Sequence, residues 1–562
     1  MSQIIRLLDN RAVICFLIFL SFFYFLIGFN QGLIVYDEGL VVYGAARVLD
    51  GEVPYRDFWT LYAPAQFYVL AGLFRVFGAS LIVERIWGTI VVFVLSATVY
   101  LLARKVLPRK PALIAWFLTA TAIGSYRLFA KTMPSALLFS LVSCLCLLNF
   151  MSQRHETWLI LAGLAAAIAV LFGHDIGFYT LVSELLVMPL FMYANLTPKE
   201  RGTPSTFVRA ARVAGRYYFL GIAIVLAPAL FYFVRIVPLD DLIYDLVIFP
   251  ITIYPKVRSL PYPAPIPSIT GILAGELSIT SFAKSTFSRA PFYFPLLVYV
   301  ISTILLVVRI RKQQVRWDQV QPWSVILLVL LGALFLNYVR VRSDTLHLVP
   351  TSIPAIMLFC VTSYDVSTTT RNARFTYWLL VAFMVVIAAS ILITAIFYGK
   401  TRIVIDSYLS SPALSLSLDR AKGVYVEHSA MVYQEAIQYI QQNVPEDERI
   451  FVGNSRHDRI VTNDVMFYFL ADRHSATEYH ELHPGVATTT AIQQKIINGI
   501  EMQRVRYIVL RNENGESRER SGISILDDFI RDQFTMVRQF GEYSVWSRSN
   551  QGIAPHPQVA AM

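Results

Sequence analysis

The chain has 562 residues, of which 56% are hydrophobic and only 15% charged, with a mean hydropathy of +0.54. That balance excludes a soluble globular domain with a charged surface and makes the protein polytopic in a lipid bilayer. A formal net charge of +10 would suit nucleic acid, but the Lys and Arg residues cluster between apolar segments, where they report topology and leave nucleic acid unnecessary.

A helix crossing a ~30 Å hydrocarbon core needs about 20 mostly apolar residues, which predicts about eleven spans in this chain. The first, 12–29, follows Arg6 and Arg11 as a secretory signal would, yet "FFYFLIGFNQ" offers no small-residue cleavage pattern, so it is read as a span. An outer loop at 30–82 comes next, with Asp37 and Glu38 just after the apolar run, then Arg47, and then Arg56 and Asp57 in "PYRDF". Spans at 83–103, 111–124, 134–151, 157–173 and 176–194 follow, with 111–124 short. Arg127 and Lys131 lie in one turn between them, and His174 and Asp175 in another, "GHDIG".

After a span at 217–236, the outer loop 237–291 contains "FPITIYPKVRSLPYPAPIPSI", with too many prolines for regular helix or sheet; Lys256 and Arg258 lie in it. Spans at 292–309, 321–339, 346–364 and 376–398 complete the set, with Arg340, Arg342, Asp344 and His347 in "NYVRVRSDTLH". From residue 399 the apolar runs stop. "YQEAIQYIQQNV" and "TTTAIQQKIINGI" have helical spacing, while "RIFVG" and "RYIVLR" have strand character. The expected fold is therefore an α-helical polytopic membrane domain over 1–398 and a soluble α/β domain over 399–562.

With the N-terminus inside, the cytoplasmic loops carry Arg104, Lys105, Arg109 and Lys110; Arg154; Lys199, Arg201, Arg209, Arg212 and Arg216; Arg309, Arg311, Lys312 and Arg316; and Arg371 with Arg374. The positive-inside rule is met throughout, and an odd number of spans puts the C-terminal domain outside a cytoplasmic (inner) membrane. All four cysteines (Cys15, Cys144, Cys146 and Cys360) fall in apolar stretches, where a thiol packs as a small hydrophobe; no disulfide is expected.

The polar clusters of note thus gather at the outer ends of spans. Interfacial solvation explains any one of them, since charged residues snorkel at loop ends. Carboxylates, histidines and guanidinium groups together suit a base beside a phosphate that is held and expelled. Outside the cytoplasm, where soluble activated sugars are not supplied, a lipid-linked phosphosugar is the fitting substrate. Its tail would lie among the spans and its phosphate on Arg and Lys. One displacement by an acceptor hydroxyl would invert the anomeric centre.

"YDEG" after the first span, then "GEVPYRDFWTLYAPAQFYVLAGLFRVFG", resembles the first outer loop of bacterial membrane glycosyltransferases of the C-type superfold, which are similar to protein O-mannosyltransferases and lipid A aminoarabinose transferases. "GHDIG" and "RVRSDTLHLVP" resemble further positions of that group, so the likeness covers roughly residues 1–365 in motif order and topology. It implies that Asp37 is the catalytic base and that Glu38 orients the acceptor or tunes Asp37. His174 and Asp175 match a site contacting acceptor or donor, with a structural hydrogen-bonding role as the alternative. Lys256 and Arg258 are expected on the donor phosphate, and Arg56 and Asp57 on substrate. Arg340, Asp344 and His347 share a face if helical and, with Arg342, are expected to hold phosphate or sugar, or else to pair structurally.

Relatives differ in metal use; the abundance of Arg and Lys favours a metal-independent reaction, with a divalent cation the alternative. His474, Glu478, His480, Glu481 and His483 in "RHSATEYHELHPG" fit no standard metal spacing and are read as a solvated loop. The acceptor is left open among a glycolipid, an envelope polysaccharide and a protein hydroxyl. The rival reading is a polytopic transporter or flippase of lipid-linked sugars, although transporters place their ionisable groups near the midplane and within repeats that are missing here.

Overall fold

A computed structural model describes residues 10–128, 131–196, 204–264, 278–367, 405, 414–459, 461–512 and 521–549. The bundle is built from α1 (Arg11–Leu26), α4 (Leu81–Ala103), α5 (Arg109–Gly124), α6 (Met133–Gln153), α7 (Thr157–Phe172), α8 (His174–Ala194), α9 (Pro204–Ile236), α10 (Ile279–Arg311), α11 (Val320–Val341) and α12 (Val349–Ser367). Each of the first ten expected spans lies on one of these helices; the eleventh, 376–398, falls outside the described residues. Among the described residues α4, α6, α8, α9, α10 and α11 are long and apolar enough to cross a membrane by length and composition, while α1 and α7 are apolar but shorter. The protein is a multi-pass membrane protein.

Local chemistry sets several helix ends. Asn10 accepts a hydrogen bond from the Ala12 amide to cap α1, and Ser80 accepts from Val83 to cap α4. Side chains such as Phe219, Ile224 and Phe231 on α9 remain exposed, as a lipid-facing surface requires. Small residues bring α7 and α9 close together: a Cβ on Gly163 would lie 2.0 Å from the Tyr218 carbonyl oxygen, and one on Gly221 would lie 2.1 Å from that of Ile160.

The two segments read from the sequence as outer loops, here termed the first and second outer segments, contain more regular structure than their sequences suggest. Within 30–82 lie α2 (Asp37–Leu49) and α3 (Ala65–Phe77). Within 237–291, the short helix Leu239–Ile243 runs into a π-helical stretch, Tyr244–Ile253, and a turn, Tyr254–Val257. The prolines do not abolish helix over 239–257 as expected. Pro250 and Pro255 lack the amide that an α-helical ladder needs, and the wider π winding accommodates one of them before the chain turns.

The C-terminal segment forms a four-stranded sheet of β1 (Phe451–Asn454), β2 (Tyr507–Arg511), β3 (Phe534–Phe540) and β4 (Tyr543–Arg548), in the order β1-β2-β4-β3. β1 and β2 are parallel, with Phe451 opposite Ile508, and the other pairs are antiparallel. Helices α13 (Met431–Asn443), α14 (Met466–Ala471), α15 (Thr490–Met502) and α16 (Ile525–Gln533) accompany it.

This unit is not a tethered module. Leu40, Val42 and Phe74 of the first outer segment share one apolar core with Ile437, Phe467 and Val509. Gly39 is required there, because a Cβ would lie 2.4 Å from the Met466 amide nitrogen, which itself donates to the Val35 carbonyl at 3.0 Å. Helix α2 is therefore buried on nearly every side, which explains why it is rich in Gly, Ala and Val and carries no polar stripe.

Candidate active site

The two adjacent carboxylates at the start of α2 have opposite surroundings, because one helical step turns a side chain by about 100°. Glu38 is 0% exposed and makes a two-pronged ion pair with Arg85 of α4, at 2.5 and 2.9 Å. Arg85 also donates to the carbonyls of Phe29 (3.1 Å) and Gly32 (2.8 Å), and Glu38 accepts from the Ile34 amide at 3.2 Å. This anchor fixes the chain entering α2. Asp37 keeps a third of its side chain exposed and is ion-paired with Lys131.

Around Asp37 the fold gathers groups from four further segments. Tyr62 and Tyr338 both lie within electrostatic range of Asp37, and Tyr338 also feels Asp175 and Asp344. Burial, reinforced by the negative charges of Asp37 and Glu481, holds the Tyr62 hydroxyl well above its ordinary value. Tyr254, on the turn after the π-helix, is in range of Arg342, Arg258, Asp344 and Asp175; its burial likewise raises it. Arg342 donates to Asp344 at 2.9 Å and to the Arg258 carbonyl at 2.9 Å, joining the second outer segment to the turn after α11. Nε of Arg258 is buried with no hydrogen-bond partner.

Asp344 also accepts from the His347 amide at 3.0 Å and lies 2.7 Å from the His347 ring nitrogen. Burial opposes its charge, but the bonds from His347 and Arg342 outweigh that and hold the carboxyl well below the usual range. The His347 ring packs on Tyr338 with centroids 4.8 Å apart.

Other expected residues stand elsewhere. Helix α11 ends at Val341, so the common helical face drawn through 340, 344 and 347 does not form; Arg340 is exposed and bonded to Asn337 at 2.9 Å. Lys256 is exposed. Arg56 and Asp57 pair with each other at 2.6 Å, and Asp57 accepts from the Val53 amide at 2.7 Å, which shapes the "PYRDF" turn. His174 opens α8 with its Nδ1 unpartnered; Asp175 beside it does belong with the Tyr254 and Tyr338 group, and accepts from the Ile176 amide at 2.8 Å.

The residues that sequence reasoning missed are aromatic or lie in the C-terminal unit. Tyr62, Tyr254 and Tyr338 carry no signal in a chain with 30 tyrosines. The stretch "HELH" is not solvated as expected: His480, Glu481 and His483 are all buried against the first outer segment. Arg47 reaches the His480 ring at 2.9 Å, Tyr36 donates to Glu481 at 2.6 Å, and the His483 ring packs on Trp59, Phe249 and Tyr254. Burial and the nearby Arg258 cation push His483 down to about 3, so it is neutral at physiological pH. Polar residues inside this otherwise apolar contact were the available signal.

Among the described residues no group of three or more His, Cys, Asp and Glu is placed to hold a metal ion. Asp37 and Glu38 are each ion-paired with a different basic side chain, Lys131 and Arg85.

With this geometry in place, likeness to known proteins is informative. Residues 62–232 match the family model described as dolichyl-phosphate-mannose-protein mannosyltransferase. The apo oligosaccharyltransferase of Archaeoglobus fulgidus superposes with a TM-score of 0.50 at 14% identity, over 88% of this chain and 69% of that one. At that score the chain shares the fold of that oligosaccharyltransferase. The A. fulgidus oligosaccharyltransferase AglB, in complex with an inhibitory peptide and a dolichol-phosphate, gives 0.46 at 12% identity over 87% of this chain, which spans 65% of that structure's length. ArnT from Cupriavidus metallidurans bound to undecaprenyl phosphate gives 0.46 at 12% identity, over 95% of this chain and 97% of that one. No curated protein matches the chain in sequence. The family match includes Tyr62, Lys131, His174 and Asp175 but stops short of Asp37 on one side and Arg258 on the other, so those roles rest on the site itself.

Proposed function

We propose that the protein transfers a sugar from a polyprenyl-phosphate donor to an acceptor hydroxyl outside the cytoplasm, with inversion at the anomeric carbon. The observation that carries this reading is a linked polar group: Asp37, a third exposed and ion-paired with Lys131, lies in electrostatic range of Tyr62 and Tyr338, and both tyrosines neighbour Tyr254, which is in range of Arg258 and Arg342. Asp37 takes the acceptor hydroxyl proton as the oxygen bonds to the anomeric carbon. The bond from that carbon to the phosphate oxygen breaks, and its electron pair leaves with the polyprenyl phosphate.

Arg258 and Arg342 stabilise the charge gained by the leaving phosphate, and the unpartnered Nε of Arg258 is the donor best placed for it. Glu38 acts on Asp37 by fixing the turn before α2, which refines the expectation that it tunes its neighbour. The site supplies its own cations, so the reading routes no step through a metal. The acceptor class stays as broad as a glycolipid, an envelope polysaccharide or a protein hydroxyl.

The test is transfer of labelled sugar by membranes holding the wild type or Asp37→Asn. Losing a general base lowers the rate roughly 10²- to 10⁴-fold. Equal rates in the two would remove Asp37 from the chemistry.

A further inference from the structure

A base at Asp37 and a cation at Arg258 define the two ends of the displacement but not what recognises the sugar between them. In an in-line reaction the transferred ring lies between the acceptor oxygen beside the base and the departing phosphate. A buried polar group in electrostatic range of both ends is therefore the candidate for that recognition. Glu481 of the C-terminal unit is such a group: it stands within electrostatic range of Asp37 and of Arg258.

Its surroundings are those of a binding group held in place. The side chain is fully buried. Oε1 accepts the Tyr36 hydroxyl at 2.6 Å, whereas Oε2 is buried with no hydrogen-bond partner. Native proteins keep few buried polar atoms unsatisfied, and each such atom calls for an explanation. The backbone on either side of Glu481 is fixed by Asn463, which donates to the His480 carbonyl at 2.8 Å and accepts from the Leu482 amide at 3.0 Å.

Docking of the two units does not account for the free oxygen. Tyr43 accepts from the Ser475 amide at 2.6 Å, Trp59 donates through its amide to the Glu478 carbonyl at 3.0 Å, and Arg47 holds His480; all of these contacts bypass Oε2.

We propose that Glu481 is a sugar-recognition residue whose Oε2 hydrogen-bonds a hydroxyl of the transferred sugar, so that the C-terminal unit helps to decide which sugar is accepted. This rests on the transfer reading given above. Burial pushes the Glu481 carboxyl up to about 8. Below that pH it carries a proton, and with Oε1 already accepting from Tyr36 the unpartnered Oε2 is the oxygen able to donate it to a sugar hydroxyl.

The experiment uses the full chain in membranes with undecaprenyl-phosphate mannose, glucose and arabinose, and then the monodeoxy analogues of whichever donor is used. For wild type, kcat/KM should fall roughly ten- to a hundredfold for one monodeoxy donor and little for the others, as loss of a hydrogen bond to a buried site group implies. Glu481→Ala should lower kcat/KM for the parent donor and abolish that preference, and Glu481→Gln should restore part of it. Should Glu481→Ala fail to assemble, Tyr36→Phe serves instead: it leaves the carboxyl present but unanchored and should shrink the preference severalfold.

A uniform loss of rate in the variants with the preference intact would overturn the proposal while leaving sugar transfer standing. Equal use of all monodeoxy donors by wild type would do the same. Failure of wild type to transfer sugar from any donor would overturn the transfer reading and this inference with it.

Discussion

Two buried carboxylates in different regions of the molecule are solved in opposite ways. Glu184, inside the helix bundle, accepts the Tyr218 hydroxyl at 2.6 Å and the Ser143 hydroxyl at 2.8 Å, which ties α8 to α9 and α6. Glu481, where the C-terminal unit packs on the segment that holds α2, has one oxygen bonded and the other unmet. A carboxyl with both oxygens engaged holds helices together where no water can reach. One left half engaged, in electrostatic range of Asp37 and Arg258, has capacity left for a ligand. Asp37 and Glu38 repeat the contrast within a single helical step.

The contrast can be broken most severely at Glu38. Arg85→Ala leaves that carboxylate buried without its cation, which should cost about 3–5 kcal/mol, read as a large fall in the detergent unfolding midpoint. A midpoint near wild type would mean the pair is not an anchor. Arg258→Ala should leave the midpoint nearly unchanged and raise the apparent KM for donor about 10- to 100-fold, the loss expected of a charged hydrogen bond. An unchanged KM would take the phosphate away from Arg258.

In the bundle, Glu184→Gln should lower the midpoint by about 1 kcal/mol, in line with hydrogen bonds between membrane helices, and should leave the KM for donor alone. A selective effect on KM would dissolve the distinction between the two carboxylates. The subtlest prediction is a pH slope. Folded Glu481 keeps its proton to about 8, whereas an unfolded one releases it near 4.5, so the folded state binds more protons between those values. Stability must then fall as pH rises from 4.5 to 8, and Glu481→Gln should lack that part of the fall. Parallel melting curves across the window would contradict it.

Much of the bundle was legible because long apolar runs have one solution in lipid, a helix. The ends were less so: α9 starts at 204 and α10 at 279, each well before its apolar run, because a helix continues beyond hydrocarbon wherever its residues permit. Helices α2 and α3 were hidden inside a presumed loop. Each has 13 residues, and α2 gains its stability from packing on residues more than 400 positions away.

The site divides in the same manner. Asp37 and Glu38 were singled out together by their place after the first span, yet the difference between them depends on Arg85 and Lys131, which sequence adjacency cannot show. The partnership of Tyr36 with Glu481 joins positions 445 residues apart, and no local pattern announces it.

The most direct test of the central claim is labelled-sugar transfer from a panel of undecaprenyl-phosphate sugars to cell-envelope acceptors, with wild type and Asp37→Asn compared at equal amounts of folded protein. The account predicts transfer from at least one donor by wild type and a loss of roughly 10²- to 10⁴-fold in the variant. Equal transfer by both proteins, or none by either from any donor, would contradict it.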